Sequence, residues 1–180
     1  MIINGIKLLM AAPIKNMVRS KQTSNGVSWG LTECGYDIRI KQDVWMFLGR
    51  RFVLGSSVEE FDMPENLMGR VLNKSTWARG GVDASMTTNI EPGWKGFLTI
   101  ELRYSRIWPI KIKAGSGIAQ VIFETIAENA QYEGKYQNQR DEPVAALKAT
   151  RTHCSVCNLA QFDSPGGVTC PNGHGGAEPL

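Results

Sequence analysis

With 180 residues, 42% of them hydrophobic and 21% charged, the chain has enough apolar material for one domain with a core and a small appendage. No run approaches the roughly 20 apolar residues of a membrane-spanning helix. The short apolar stretch 6–13 carries Lys7 and no clear cleavage site, so it reads as structure, not as an export signal, and a formal charge of +3 does not by itself argue for nucleic acid.

Taken in order, Asn4 is placed to cap a short helix whose Ile6, Leu9 and Met10 share one side and which Pro13 stops. A polar, Gly-containing loop follows over 19–26. From there the signals are short strands separated by Gly, Pro, Asn and Asp, at 36–40, 51–54, 68–73, 97–104, 110–112 and 118–123. Residues 124–149 turn polar, with Gly134 and a Gln/Asn-rich stretch, and read as a peripheral segment in which 143–150 forms a short helix. Many short strands without a long helical period predict an all-β fold, a sandwich, jelly roll or barrel with few helices. The expected division is a domain over 1–140, a linker over 141–150 and a tail over 151–180.

Alternation in the strand 97–104 puts Leu98, Ile100 and Leu102 on one face and Phe97, Thr99, Glu101 and Arg103 on the other. Glu101 is then either a carboxylate that is solvated or paired with Arg103, or a reactive one if other groups join it. Ser75 and Arg79 are four apart and share a face if 75–79 make one helical turn after the strand 68–73. A hydroxyl and a guanidinium at such a turn can hold a phosphate or a water, although singly they read as a helix cap and a surface charge. Gly93 and Gly96 read as turn geometry. Trp94 either packs in the core or stacks near a ligand.

Five segments in order carry a resemblance. They are Gly35-Tyr36-Asp37-Ile38-Arg39, Lys74-Ser75-Thr76-Trp77-Ala78-Arg79, Ile90-Glu91-Pro92-Gly93-Trp94-Lys95-Gly96, Gly115-Ser116-Gly117-Ile118-Ala119-Gln120 and Tyr132-Glu133-Gly134-Lys135-Tyr136-Gln137-Asn138-Gln139. Together they resemble the dCTP deaminase branch of the trimeric dUTPase-like superfamily. The resemblance implies a homotrimer of distorted β-barrel or jelly-roll subunits of the dUTPase-like type, with sites at subunit seams. It makes Glu101 the general acid/base, with Ser75 positioning water and Arg79 contacting phosphate. Lys74 also faces the phosphates. Residues 86–91, among them Thr88, Asn89 and Glu91, line the pyrimidine and sugar pocket with Trp94, Gln120 helps hold the nucleotide, and Tyr132, Lys135 and Gln139 close over it. Asp37 supports the trimer or Arg39. Mg²⁺ rides on the triphosphate instead of in a protein cage.

The implied reaction is hydrolytic removal of the cytosine 4-amino group from dCTP, giving dUTP and ammonia, in the cytoplasm, or a host's cytoplasm for a viral protein. One desolvated glutamate can serve both proton transfers if burial raises its pKa toward neutrality. Relatives commonly carry Asp where this chain has Glu91, and the stretch from Arg79 to Glu91 is about one residue shorter than in some, so a modified cytosine is an alternative base. Release of pyrophosphate, alone or with deamination, is the alternative reaction. A nucleotide-sensing module without catalysis is the alternative of another class.

In the tail, Cys154 and Cys157 are two residues apart, twelve residues precede Cys170, and three more lead to His174. This is zinc-ribbon-like spacing for a structural Zn²⁺ site. Zinc nucleoside deaminases instead use His-x-Glu followed by Pro-Cys-x-x-Cys. Neither His153 nor His174 has Glu two positions on, so the metal reads as architectural, and the tail's own partner is left open.

Overall fold

A computed structural model of the chain describes residues 1–153, 160–164 and 167–170. The chain divides into two compact units, one of residues 1–132 and 138–144, the other of 133–137 and 145–180.

The first unit is built from antiparallel strands. Its larger sheet contains β1 (Ile2–Ile3), β2 (Lys21–Ser24), β3 (Val27–Leu31), β4 (Tyr36–Arg39), β7 (Leu67–Asn73), β9 (Asn89–Ile90) and β12 (Gly117–Thr125). The order is β2-β3-β4-β12-β7-β9, with β1 also on β12. A second sheet has β6 (Phe52–Asp62), β10 (Lys95–Tyr104) and β8 (Val82–Asp83) in the order β6-β10-β8, and β5 (Val44–Met46) pairs with β11 (Ile110–Ile112). The inward residues Tyr36, Ile38, Val71, Val121 and Phe123 of the first sheet meet Phe61, Ile100 and Leu102 of the second in one core. Burying each of these large side chains is worth about 1.5–3 kcal/mol, which is why the alternation along the strands fixes the fold.

Two local expectations are corrected. The helix α1 (Gly5–Ala11) forms after Asn4 and ends at a left-handed Ala12 before Pro13, but its buried residue is Leu8, while Ile6 and Met10 are exposed. Asn4 does not cap with its side chain; its amide donates to the Glu33 carbonyl at 2.7 Å. The stretch read as a loop at 19–26 is the first arm of a hairpin, β2 with β3. Asn25 and Gly26 both take positive φ, 51° and 78°, the geometry of a tight two-residue hairpin turn that Asn-Gly favours.

Strand β6 runs well beyond the expected 51–54 because Gly55-Ser56-Ser57 lie inside it. Pairing with β10 passes from Phe97↔Glu60 to Thr99↔Ser56, so β6 carries extra residues there. The Leu98 N–H that the irregularity displaces donates to Ser57 Oγ at 2.8 Å. At the same irregularity Glu59 is buried, and its carboxylate accepts from the Arg39 backbone N–H at 2.7 Å and from Arg39 Nε at 2.8 Å. The Arg39 guanidinium lies 3.7 Å from the centre of the Trp29 ring.

The segment 143–150 is not helical. Residues from 148 enter β13 (Lys148–His153), which pairs with β14 (Ala160–Ser164), itself paired with β15 (Gly167–Thr169). Thr150 and Thr152 are β-branched and favour the extended backbone. Cys170 is buried. Cys154, Cys157 and His174 lie outside the described residues.

Burial pushes the Glu59 carboxyl above its ordinary 4.5, with the Arg39 hydrogen bonds opposing that rise. A raised folded value means that the stability tied to this group is fully present below the unfolded value and falls as pH climbs through the folded one. Arg39→Leu removes the guanidinium and its Nε bond to the carboxylate, while the backbone N–H bond stays. It is expected to cost about 3 kcal/mol near neutral pH, as breaking a buried pair does. In urea titrations the cost shrinks toward pH of about 4.5, as Glu59 takes up its proton. An equal loss at both pH values would contradict this account of the pair.

Candidate active site

Strand β10 carries the central residue. Leu98, Ile100, Leu102 and Tyr104 are buried, so Phe97, Thr99, Glu101 and Arg103 leave from the opposite face, as the alternation requires. On that face Glu101 sits across from Leu54 of β6, Thr99 across from Ser56, and Arg103 across from Phe52. The Glu101 side chain is half-buried, and no described residue gives its carboxylate a hydrogen bond or an ion pair. Arg103 is not its partner. That residue pairs in register with Asp83 of β8, whose carboxyl is held below its usual range first by Ser85 and, more weakly, by Arg103.

The backbone at Glu101 is held from its other edge. Strand β8 pairs with β10 only at Arg103 and Tyr104, which leaves the Glu101 N–H to find another acceptor. It donates to Thr87 Oγ1 at 2.6 Å.

After β7, α2 (Ser75–Arg79) makes the single helical turn that the spacing of Ser75 and Arg79 anticipates. Both residues are exposed. Trp77 ties the turn to β12, its Nε1–H donating to the Gly117 carbonyl at 2.6 Å. The Arg106 guanidinium donates to the Arg79 carbonyl at 3.3 Å. Within one chain, neither the Ser75 nor the Arg79 side chain hydrogen-bonds to Glu101.

Lys74 is placed differently from a freely exposed phosphate ligand. Its ammonium pairs with the Asp37 carboxylate and donates to Ser28 Oγ at 3.0 Å, with 10% of the Lys74 and 5% of the Asp37 side chain accessible. Asp37 therefore answers Lys74, while Arg39 answers Glu59. Next to this pair, Gln120 lies in register with Asp37, and its amide donates to Thr32 Oγ1 at 3.0 Å.

Between β8 and β10, Thr88, Asn89 of β9 and Glu91 are exposed. The Thr88 carbonyl accepts from Val71 N–H at 3.2 Å, and Asn89 pairs with Arg70. Glu91 opens a turn through Pro92 and Gly93, closed by Trp94 N–H donating to the Glu91 carbonyl at 3.2 Å, with Gly93 at φ +70°. Trp94 itself is buried, its ring centre 6.0 Å from that of Phe61.

Beyond β12 the chain returns to β10. Tyr132 N–H donates to the Pro92 carbonyl at 2.8 Å, and the segment 138–144 then runs beside the start of β10. Asn138 N–H donates to the Lys95 carbonyl at 2.9 Å, and Phe97 N–H to the Gln139 carbonyl at 3.1 Å. Gly96 takes φ +126°, and a Cβ there would lie 2.5 and 2.6 Å from the Gln139 N and O, so only glycine admits this approach. Thr99 Oγ1 donates to Gln139 Oε1 at 3.0 Å and accepts from Val144 N–H at 3.0 Å. Gln139 is thus fastened two residues from Glu101, on the same face of β10. Lys135 belongs to the second unit, where its ammonium donates to the Leu147 carbonyl and lies 5.0 Å from the centre of the Tyr136 ring.

The residues that sequence reasoning did not single out are Thr99, Thr32 and Glu59, and it took Thr87 only as part of the pocket stretch 86–91. Each acts through contacts distant in sequence, and Thr87 and Thr88 look alike until the fold buries the first and exposes the second.

Comparison with known proteins places the chain among relatives. A family model described as dCTP deaminase-like matches residues 36–126. A dCTP deaminase of Pseudomonas putida (strain GB-1) is 31% identical over an alignment of 160 residues that covers 71% of this chain and 85% of the relative. One of Herpetosiphon aurantiacus is 36% identical over 146 residues, covering 63% of this chain and 79% of the relative. Among solved structures, a 2'-deoxycytidine 5'-triphosphate deaminase from Agrobacterium tumefaciens has a TM-score of 0.55 at 11% identity, over 72% of this chain and 50% of that one, which is a likeness of fold.

Proposed function

The chain belongs to the dCTP deaminase-like family, and we propose that it hydrolyses the exocyclic C–N bond of a deoxycytidine triphosphate to give the uracil nucleotide and ammonia. The observation that carries this reading is Glu101, a carboxylate without a partner among the described residues, on the outward face of a strand whose backbone is held on both edges. A carboxylate already committed to a salt bridge would be a poor base, and this one is uncommitted.

In the proposed reaction Glu101 takes a proton from the attacking water as oxygen bonds to C4. It passes that proton to the ring nitrogen N3, then takes the second proton from the new C4 hydroxyl and gives it to the exocyclic amine as the C4–N bond breaks and the C4 carbonyl forms, so that one water is consumed and one ammonia released. Ser75 orients the water and Arg79 binds phosphate. Because neither touches Glu101 within one chain, the complete set is assembled between copies, in a homotrimer. The exposed loop with Thr88, Asn89 and Glu91 faces the base and sugar, and Gln120 holds the nucleotide. Tyr132, Lys135 and Gln139 close over it. Mg²⁺ enters as the counter-ion of the triphosphate. Among the described residues, no helix is long and apolar enough to cross a membrane.

A panel of cytosine and uracil deoxynucleoside triphosphates, including 5-substituted cytosines, tests the reaction by mass spectrometry. The expected result is a mass gain of about one unit with an intact triphosphate, from exchange of an amine for oxygen, together with ammonia. Pyrophosphate release would support the diphosphatase instead, and no turnover of any member would support a sensing module.

For the tail we propose a structural zinc held by Cys154, Cys157, Cys170 and His174, on the strength of their spacing. Elemental analysis should find about one zinc per chain, lost in Cys170→Ser. Full-length protein without zinc would contradict this assignment.

A further inference from the structure

We infer that Thr87 is a positioning residue for Glu101, an inference that rests on the proposed role of Glu101 itself. The Thr87 side chain is buried, with 7% of the residue accessible, and its Oγ1 stands 2.6 Å from the Glu101 backbone nitrogen. A buried N–H without an acceptor costs about 1–3 kcal/mol, so the strand at this point needs what Thr87 provides. The acceptor could have been a neighbouring strand, but β8 reaches only Arg103 and Tyr104. At the other end of β10, Lys95 and Phe97 bond to the returning segment 138–144. Between these two supports the edge of β10 at Glu101 is held by one hydroxyl.

That hydroxyl is itself held in place. Thr87 N–H donates to the Ala84 carbonyl at 3.1 Å, and Ala84 N–H donates to Asn73 Oδ1 at 2.6 Å. The next carbonyl, of Thr88, accepts from Val71 N–H at 3.2 Å. Asn73 ends β7 one residue before Lys74 and two before Ser75. A series of hydrogen bonds therefore runs from the strand that presents Ser75, through the turn at Ala84 to Thr87, to the peptide that presents Glu101. Its last link fixes the backbone from which the carboxylate projects. A displacement of that carboxylate by about 1 Å can lower turnover by about a hundredfold without removing any group that binds the nucleotide.

The test compares full-length Thr87→Val, which keeps the size of the side chain and loses the oxygen, with Thr87→Ser, which keeps the oxygen. With the nucleotide that the wild type deaminates, Thr87→Val should lose about 10- to 100-fold in kcat with KM nearly unchanged, and Thr87→Ser should recover most of it. Hydrogen exchange at the Glu101 amide should quicken in Thr87→Val and stay slow in Thr87→Ser. Should Thr87→Val not fold, Thr87→Ala takes its place in the same comparison. A kcat per folded molecule that is equal in all variants would overturn the inference, as would equal exchange rates at Glu101. Absence of turnover in the wild type would overturn the catalytic reading and with it the positioning role, while the exchange rates would still show separately whether Thr87 holds the amide.

Discussion

Side chains leave a strand alternately from its two faces, and in β10 this one rule sets the position of everything reactive. Leu98, Ile100 and Leu102 are drawn into the core, so Glu101 must stand on the opposite face. A slip of one residue in pairing with β6 would bury the carboxylate and expose three aliphatic side chains, which is why the register is strongly specified. The irregularity between Phe97 and Thr99 is absorbed on β6, where Ser57 satisfies the displaced Leu98 N–H and Glu59 is carried to Arg39. Strand β10 continues past it with its alternation intact.

Around this strand, buried charge serves to fix neighbours to one another. Arg39 bridges β4 to Glu59 of β6 and lies on Trp29 of β3, while Lys74 joins the end of β7 to Asp37 of β4 and Ser28 of β3. Both pairs exclude most of the solvent, so losing either partner leaves an uncompensated charge in the interior. The second pair sits at the base of α2 and orients the turn from which Ser75 and Arg79 project. By contrast the side chains of Ser75, Arg79 and Glu101 are left without such partners among the described residues. The groups that hold the scaffold and the groups proposed to do chemistry are thus separated by their electrostatic surroundings.

Much of this was legible before any coordinates. The outward placement of Glu101 follows from the aliphatic alternation around it, and the helical turn from the spacing of Ser75 and Arg79. The strands of the core and the Pro-Gly turn before β10 also follow from local pattern. What escaped depended on partners far away in sequence. Asn25-Gly26 was a hairpin signal set within polar residues, and with no apolar alternation in Lys21–Ser24 the first strand looked like loop. Leu8 is the buried residue of α1 because only that side meets the core, which about two turns of helix cannot reveal. The extension of β6 was hidden by Gly55, whose missing side chain makes room for Ile40. Thr87 could not be distinguished from Thr88 at all, since its role is a single bond to a strand fourteen residues on.

The central claim is that the carboxylate of Glu101 moves protons and does not merely help to hold the nucleotide. Replacing it by an amide of the same shape, Glu101→Gln, and measuring turnover and nucleotide affinity on the same preparation separates the two. The account expects kcat to fall by about a thousandfold or more while the dissociation constant for the deoxycytidine triphosphate changes only a few-fold. Turnover that survives in Glu101→Gln, with binding intact, would contradict it.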